Sequence, residues 1–338
     1  MKKLIKNTIE LIKEEYRFIF FLILFYFILQ VPLNYYIVTG GGTSDVSSRI
    51  DVENSYNSKG SLNISYVTEL PGTVITYLLS YIIPTWEREN ANLYKYSKKE
   101  SVEDIKFRNE LDLKTGSSQA TYWAYTLANK ELKKIKSELY VITIFDGYST
   151  PLKIGDKIKS IDGNSYQTIE EYRNYIQTKH KNDEVIIEVE RKGINKEIKT
   201  KVYSYKDQLI LGVGLQFLNE YQTNPKVNIN FKSRESGPSG GLITTLEIYN
   251  QLTKKDITKG LNIAGTGTIE ANGDIGEIGG IEHKLLGAEK DKIDIFLVPS
   301  GNNYKVAKKY KKSKKLKVKL IEVKNIKDAL EKLEKVKK

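Results

Sequence analysis

The sequence has no cysteine and only two histidines, and both shortages limit the chemistry open to it. Without cysteine there are no disulfide bonds, no thiolate zinc sites and no cysteine nucleophile. His180 lies among charges in QTKHKND and is expected to be solvated, so a Ser-His-Asp triad would depend on His283. The phosphate-binding pattern GxxxxGK[S/T] is also missing, which excludes that class of ATP site. We expect no metal and no cofactor.

Long uncharged runs are scarce, with one exception near the start. FIFFLILFYFILQVPLNYYIV, residues 18–38, carries no charge, and a helix of this length crosses a hydrocarbon core of about 30 Å. We predict an uncleaved transmembrane anchor that contacts membrane lipid; a buried core helix and a cleaved signal peptide are the alternatives. Five basic residues precede the run and Arg49 alone follows within about 20 residues. Residues 1–17 are therefore expected in the cytoplasm and the remainder outside the cell membrane.

The net charge of +12 is concentrated late in the chain, in YKVAKKYKKSKKLKVKL, residues 304–320. A solvated helix and loop is the favoured interpretation, and binding of nucleic acid or another anionic polymer is the alternative. The lysines lack the aromatic interleaving that stacks on bases, so no nucleic-acid partner is expected. On an outward-facing domain, anionic lipid or wall polymer is the more plausible partner.

Composition and periodicity divide the rest of the chain into three parts. Residues 39–119 form a mixed extracytoplasmic region without recognisable chemistry, in which GGGTSDVSS predicts a flexible exit from the membrane and SLNISYV a strand. Residues 120–205 and 206–338 are two further predicted domains. The last one alternates strands with helices, including a hairpin at Asn272-Gly273, and predicts an α+β fold.

The domain predicted over residues 120–205 contains a strand, SELYVITIF, a turn, a helix and a hairpin. Its core, L-x-x-GD-x-I-x-x-I-DG from Leu152 to Gly163, resembles that of a PDZ domain. The resemblance implies a β-rich domain that binds an extended peptide as an added strand, with a glycine-containing loop for a C-terminal carboxylate. That loop should precede SELYVITIF, where NKELKKIKSEL has no glycine. Two interpretations of this domain are left: it binds a peptide by strand addition, or it is a spacer that binds no ligand.

The run ESGPSGGLITTLEIYNQL places Ser239 in a glycine-rich turn directly before a predicted helix. Free backbone N–H groups at a helix N-terminus can hold an oxyanion. We expect Gly237 to permit a sharp turn, and Gly240 and Gly241 to leave space for a substrate backbone. The alternative is that Ser239 is simply the N-cap of the helix.

A helical wheel of IEHKLLGAEKDK provides a candidate base. It places His283 on the solvent side and Lys284 on the flank of the apolar stripe. Burial against apolar neighbours lowers the pKa of a lysine, and a general base works best near the operating pH. Lys284 is therefore a candidate to accept the Ser239 proton. A lysine that covers the stripe with its stem and keeps its charge in water is the alternative.

These motifs together resemble the Lon-type serine peptidase domain. GPSGG and GGIEHKLLGA match the family's serine and lysine motifs, with the lysine 45 positions after the serine. The resemblance implies a catalytic dyad of Ser239 and Lys284, supported by Thr266 in GTGTI and by the motif residues Gly237, Pro238 and Gly240. Two positions depart from the family pattern: Ser236, where an acidic residue is common, and Gly240, where alanine is common.

The order of anchor, PDZ-like and Lon-like regions resembles the membrane-anchored PDZ-containing Lon-like peptidases of Gram-positive bacteria. It implies an ATP-independent serine endopeptidase that cleaves flexible or unfolded polypeptides outside the membrane. Hexameric rings are common in Lon-type domains, so a homo-oligomer is expected by resemblance. The alternative is a non-catalytic, membrane-tethered scaffold that binds peptides.

Overall fold

A computed structural model describes residues 2–231, 235 and 237–337. The chain divides into two compact units. One comprises the residues up to Gly40 together with Val67–Tyr94, and the other comprises Gly41–Tyr66 and the residues from Lys95 onward. The architecture is mixed α+β, as the sequence predicts. The domain boundaries at residues 119 and 205 stay predictions.

The first unit begins with helix α1, Lys2–Leu29. Strand β1, Pro32–Asp45, follows at once, and its residues Tyr35–Val38 pair antiparallel with β4, Glu87–Asn90. Helix α2, Val74–Leu79, lies between them in sequence. The helix predicted over residues 18–38 therefore ends at Leu29, and the prediction is wrong for the residues after it. The physical reason is Pro32, which lacks an amide hydrogen and restricts the residue before it. Of the helices in the described part of the chain, none combines the length and apolar character that a bilayer crossing needs.

The second unit contains a parallel arrangement of four strands in the order β17-β16-β13-β3, to which β3 contributes its residues up to Tyr66. These are β3, Ser61–Thr73; β13, Asn262–Gly265; β16, Ile295–Pro299; and β17, Lys319–Val323. Helices follow or precede the strands: α5, Gly241–Leu252; α6, Ile281–Lys290; α7, Asn302–Lys314; and α8, Ile326–Lys335. Helix α5 is buried on all sides, since all of its residues except Tyr249 are inaccessible to solvent.

Two short strand pairs flank the nucleophile turn predicted from the sequence. Strand β2, Ile50–Val52, pairs antiparallel with β12, Val227–Ile229, just before the turn. Strand β14, Thr268–Ile269, pairs with β15, Ile275–Gly276, across the predicted hairpin.

A second sheet has the strand order β11-β5-β6-β7-β8 and forms the PDZ-like region. Its strands are β5, Glu131–Ile144; β6, Lys157–Ile161; β7, Glu184–Arg191; β8, Ile194–Lys201; and β11, Val213–Asn224. Helix α4, Ile169–Gln177, packs over it, and β9, Tyr203–Tyr205, pairs with β10, Gln208–Ile210. Asp156 is fully buried and accepts two hydrogen bonds from the Arg191 guanidinium, which ties the turn before β6 to β7.

Helix α3, Val102–Leu127, packs against α5 and against strands β5 and β11. Its first turn is closed by a capping box in which Ser101 and Asp104 exchange side-chain to backbone hydrogen bonds. The buried Arg108 guanidinium donates to the buried Glu100 carboxylate at 2.6 Å, so both charges are compensated inside the protein. A segment without recognisable chemistry in the sequence is thus a central structural element.

The glycines of GGGTSDVSS are not a flexible exit, and that prediction is wrong. They belong to strand β1, and a Cβ on Gly287 of α6 would lie 2.9 Å from the α-carbon of Gly42. The backbone N–H and hydroxyl of Thr43 both donate to the Asp291 carboxylate, at 2.6 and 2.9 Å, at the end of α6. Glycine is needed here because strand and helix approach each other without room for side chains.

Candidate active site

Ser239 lies in the turn immediately before α5, but it is not the helix cap. Helix α5 begins at Gly241, and the N-cap position is taken by Gly240, without any side-chain capping bond. The N-cap interpretation of Ser239 is therefore wrong. Gly237 has φ of +82°, a backbone conformation that favours glycine, which gives the chain its sharp bend two residues before the serine.

Gly240 and Gly241 face the protein interior. A Cβ on Gly241 would lie 2.8 Å from the backbone nitrogen of Ile269, and one on Gly240 would lie 2.9 Å from Cδ1 of Ile64. The expected space for a substrate backbone beside these two α-carbons is thus filled by strands β14 and β3. The glycines let α5 begin directly against these strands, and that contact fixes where the Ser239 turn lies. Ser236 lies outside the described residues.

Lys284, Thr266 and Ser239 are joined by a short chain of hydrogen bonds. The Lys284 Nζ donates to the Thr266 hydroxyl oxygen at 3.2 Å, and that hydroxyl donates to the Ser239 carbonyl oxygen at 3.3 Å. The Gly267 N–H also donates to this carbonyl, at 2.8 Å. Three residues from separate parts of the sequence therefore meet at the end of β13 and the start of α5.

The Lys284 side chain is 4% exposed and Thr266 is fully buried. Because the amine is inside the protein, a solvated lysine head over an apolar stripe does not describe this site. Burial removes the water that stabilises an ammonium and so favours the uncharged amine. An amine in that form can accept a proton from a nearby hydroxyl.

The two histidines differ from each other in their surroundings. His180 has a side chain 91% exposed, which confirms its predicted solvation. His283 was expected to face solvent and is instead 6% exposed. The wheel assumed a helix with one buried face, whereas six of the ten residues of α6 are buried. Among the described residues, no group of three or more His, Asp or Glu side chains is placed to hold a metal ion.

Two contacts to the nucleophile turn come from segments that the motifs did not indicate. The Gly237 N–H donates to the Asn109 carbonyl oxygen of α3 at 3.2 Å, and Pro238 lies against Gly116 one to two turns further along that helix. On the other side, the Arg49 guanidinium pairs with Glu235 at 2.7 Å. The sequence signal for the contact between α3 and the turn was Gly116. A glycine inside a helix costs about 1 kcal/mol relative to alanine, so its presence implies a packing reason.

The PDZ-like sheet has β11 and β8 as its two edge strands, and helix α4 contacts β11. A glycine turn precedes this strand: Gly212 has φ of +72°, and a Cβ there would lie 2.6 Å from Cβ of Tyr148. Before β5, where the resemblance places the glycine-containing loop, the sequence NKELKKIKSEL has no glycine. The Tyr172 ring of α4 and the Phe217 ring of β11 have centroids 6.4 Å apart beside this edge.

Comparisons with known proteins agree with both motif assignments. Residues 230–335 match the Lon protease (S16) C-terminal proteolytic domain, and residues 130–202 match the PDZ domain. Lon proteases of Mesomycoplasma hyopneumoniae and Fusobacterium nucleatum are each 37% identical to the chain over 68 residues, which is 20% of the chain. The matched segment spans 8% and 9% of those two relatives. The chain therefore carries the proteolytic domain of a serine peptidase together with a PDZ domain.

Solved structures similar to the chain include PDZ domains of SdrC-like proteins from two Listeria species. The domain from Listeria monocytogenes is 28% identical, covers 25% of the chain and 92% of its own length, and gives a TM-score of 0.23. The domain from Listeria innocua is 27% identical, covers 23% of the chain and 92% of its own length, and gives a TM-score of 0.21.

Proposed function

We propose that the protein is a serine endopeptidase in which Ser239 attacks the peptide carbonyl and Lys284 is the general base. The observation that carries the proposal is the buried lysine amine, held 3.2 Å from the Thr266 hydroxyl, which in turn contacts the Ser239 backbone. In its uncharged form, the Lys284 nitrogen has a lone pair that can accept a proton. In the proposed mechanism that proton comes from the Ser239 hydroxyl.

The reaction proceeds through an acyl-enzyme. Lys284 removes the hydroxyl proton as Ser239 attacks, then passes the proton to the leaving amine, and water hydrolyses the ester in a second cycle. The N–H groups of Gly241 and Leu242 donate to the carbonyls of Pro238 and Gly267, at 3.1 Å each. We therefore assign the oxyanion to the N–H groups of Ser239 and Gly240.

The PDZ domain is proposed to dock polypeptides along the part of the β11 edge that lies next to helix α4. An extended segment can add there as a strand, with its carboxylate at the glycine turn around Gly212. Flexible or unfolded chains are the proposed substrates, and cleavage is proposed to need no ATP, because the sequence has no phosphate-binding loop of the common type. A homo-oligomer, with six subunits as the expected number, remains a proposal from the resemblance alone.

Lipid contact is proposed for the apolar part of α1, with the peptidase outside the cell membrane. From Phe18 to Ile28, the side chains of the helix are apolar, and all except that of Ile19 are between 44% and 63% exposed. Apolar surface of this extent favours a membrane or another apolar partner. Ile37 and Val38 of the earlier anchor prediction are buried and do not take part. Flotation of the full chain with anionic vesicles and with neutral vesicles tests the contact. If the protein does not float with either kind of vesicle, the contact is ruled out.

The catalytic proposal is tested with the full chain and an unfolded polypeptide substrate. Ser239→Ala and Lys284→Met should each lower kcat by roughly 10³-fold or more, the scale seen when a serine peptidase loses its nucleophile or base. Lys255→Met, which removes an exposed lysine paired with Glu334 at 2.6 Å, is the control and should cleave normally. Unchanged cleavage by either site variant would contradict the mechanism and leave the peptide-binding scaffold as the function.

A further inference from the structure

One segment outside the peptidase match, Gly42–Arg49, touches the elements that carry both proposed catalytic groups. On α6, Gly42 lies against Gly287, and Thr43 donates two hydrogen bonds to Asp291. Gly287 is less than one helical turn beyond Lys284. The segment is therefore fixed to the helix of the proposed base at two points.

The same segment holds the approach to the nucleophile. The Arg49 carbonyl accepts the Asn230 N–H at 2.8 Å, in line with the β2–β12 pairing. The Arg49 guanidinium then pairs with Glu235 at 2.7 Å, four residues before Ser239. Its other end donates to the Ser44 hydroxyl at 2.7 Å, so the guanidinium has two fixed partners.

The Arg49–Glu235 pair is not an ordinary surface ion pair. Exposed ion pairs contribute about 0–1 kcal/mol to stability, because water screens the charges. Arg49 is only 9% exposed, so its charge is screened less. A nearly buried guanidinium with two short hydrogen bonds has a defined geometry, and removing one partner leaves a charge that water reaches poorly. Such a pair fixes the position of the chain to which it is attached.

We propose that Arg49 is a positioning residue that sets the Ser239 turn relative to Lys284, acting through Glu235. The proposal rests on the serine peptidase function proposed above. Gly42 and Thr43 contact α6, and Arg49 contacts the turn. The end of β1 and the turn that follows it therefore connect the proposed nucleophile to the proposed base. On the far side, the Asn109 carbonyl of α3 holds the Gly237 N–H. With Arg49 removed, the turn keeps that contact and loses the one to Gly42–Arg49.

The test measures kcat and KM separately for the full chain with a fluorogenic unfolded substrate. Arg49→Met and Glu235→Gln should each lower kcat by roughly 10- to 100-fold, the scale of a small misplacement of reacting groups, with KM within about twofold. Because the two residues act as one pair, the double variant should lose no more activity than either single variant. Arg49→Lys should recover part of the loss, and Lys255→Met should match the parent protein.

A second measurement does not depend on catalysis. Amide hydrogen exchange of the peptide that contains Gly237–Leu242 should be faster in Arg49→Met, while exchange of the PDZ strands β7 and β8 should be unchanged. If Arg49→Met fails to fold, Glu235→Gln tests the same pair, because Glu235 is partly exposed and tolerates the change better.

Several results would overturn the proposal. One is an unchanged kcat in both single variants, and another is an effect on KM alone. A third is a double variant whose loss of activity is the sum of the two single losses, because additivity means that Arg49 does not act through Glu235. If the parent protein has no cleavage that depends on Ser239, the peptidase function fails by itself. In that case unchanged hydrogen exchange in Arg49→Met would still refute the anchoring of the turn, and faster exchange would support it.

Discussion

Thr266→Val removes the hydroxyl that links Lys284 to the Ser239 turn while leaving the side-chain volume nearly unchanged. Thr266 is fully buried, and its hydroxyl accepts from Lys284 at 3.2 Å and donates to the Ser239 carbonyl at 3.3 Å. A buried hydrogen bond contributes about 0.5–1.5 kcal/mol net, and both of these are long. We therefore expect the free energy of unfolding to fall by about 1–2 kcal/mol.

The loss of activity should be larger than this loss of stability implies. Without the hydroxyl, the Lys284 amine loses the contact that holds it at 3.2 Å from Thr266. Poor alignment of a base costs roughly 10- to 100-fold in kcat. Steady-state cleavage of an unfolded polypeptide gives kcat, and urea unfolding gives the stability. KM should change little, because Thr266 lies beneath the site and has no surface to offer a substrate.

Thr266→Ser is the matched control. It keeps the hydroxyl and loses one methyl group, which costs about 1 kcal/mol through lost apolar burial. The two variants should thus have similar stability and very different activity. If Thr266→Val keeps kcat within twofold of the parent protein, or if Thr266→Ser loses as much activity as Thr266→Val, the hydroxyl does not orient the base.

Three further variants test the packing around the site. Gly241→Ala places a Cβ 2.8 Å from the Ile269 backbone nitrogen and should lower the melting temperature, at a cost of about 1–3 kcal/mol; an unchanged melting curve would show that β14 yields. Arg108→Met leaves the buried Glu100 without its guanidinium and should cost about 3–5 kcal/mol in urea unfolding, against less than 1 kcal/mol for Lys255→Met. Burial raises the pKa of Glu247, so the folded protein holds a proton that the unfolded chain releases. The resulting stabilisation is complete below the pKa of Glu247 in the unfolded chain. It is lost as the pH rises through the pKa of Glu247 in the folded protein. Glu247→Gln should therefore gain urea stability relative to the parent protein as pH rises from about 4 to 7, and a constant difference would contradict this.

The sequence was informative where a local pattern carries the chemistry. GPSGG predicted a turn before a helix, and the structure begins α5 at Gly241, because only glycine fits so close to Ile269. The helix that contains Lys284 was also predicted from its periodicity. Whether the amine is buried was left open, since a wheel gives the direction of a side chain and does not show what covers it.

Contacts between distant segments could not be predicted in this way. Nothing in the composition pairs Arg49 with Glu235, or places Asn109 beside Gly237, because these contacts depend on how β2, β12 and α3 assemble. The burial of His283 was missed for the same reason. The end of α1 at Leu29 could have been predicted from the sequence, because a proline such as Pro32 does not continue a helix.

The position of Thr266 shows why the region before the PDZ domain belongs to the catalytic structure. Thr266 follows directly on β13, and β13 lies between β16 and β3 in the sheet. Residues Ser61–Ile64 of β3 pair in parallel with Asn262–Gly265, so the strand that leads to Thr266 is aligned by a segment far outside the peptidase match. Without β3, β13 would lose the hydrogen bonds along one edge, and the Ser65 hydroxyl would no longer donate to the Gly265 carbonyl at 3.0 Å. The strand that leads to Thr266 is therefore aligned by β3, and a fragment limited to the matched residues would lack it.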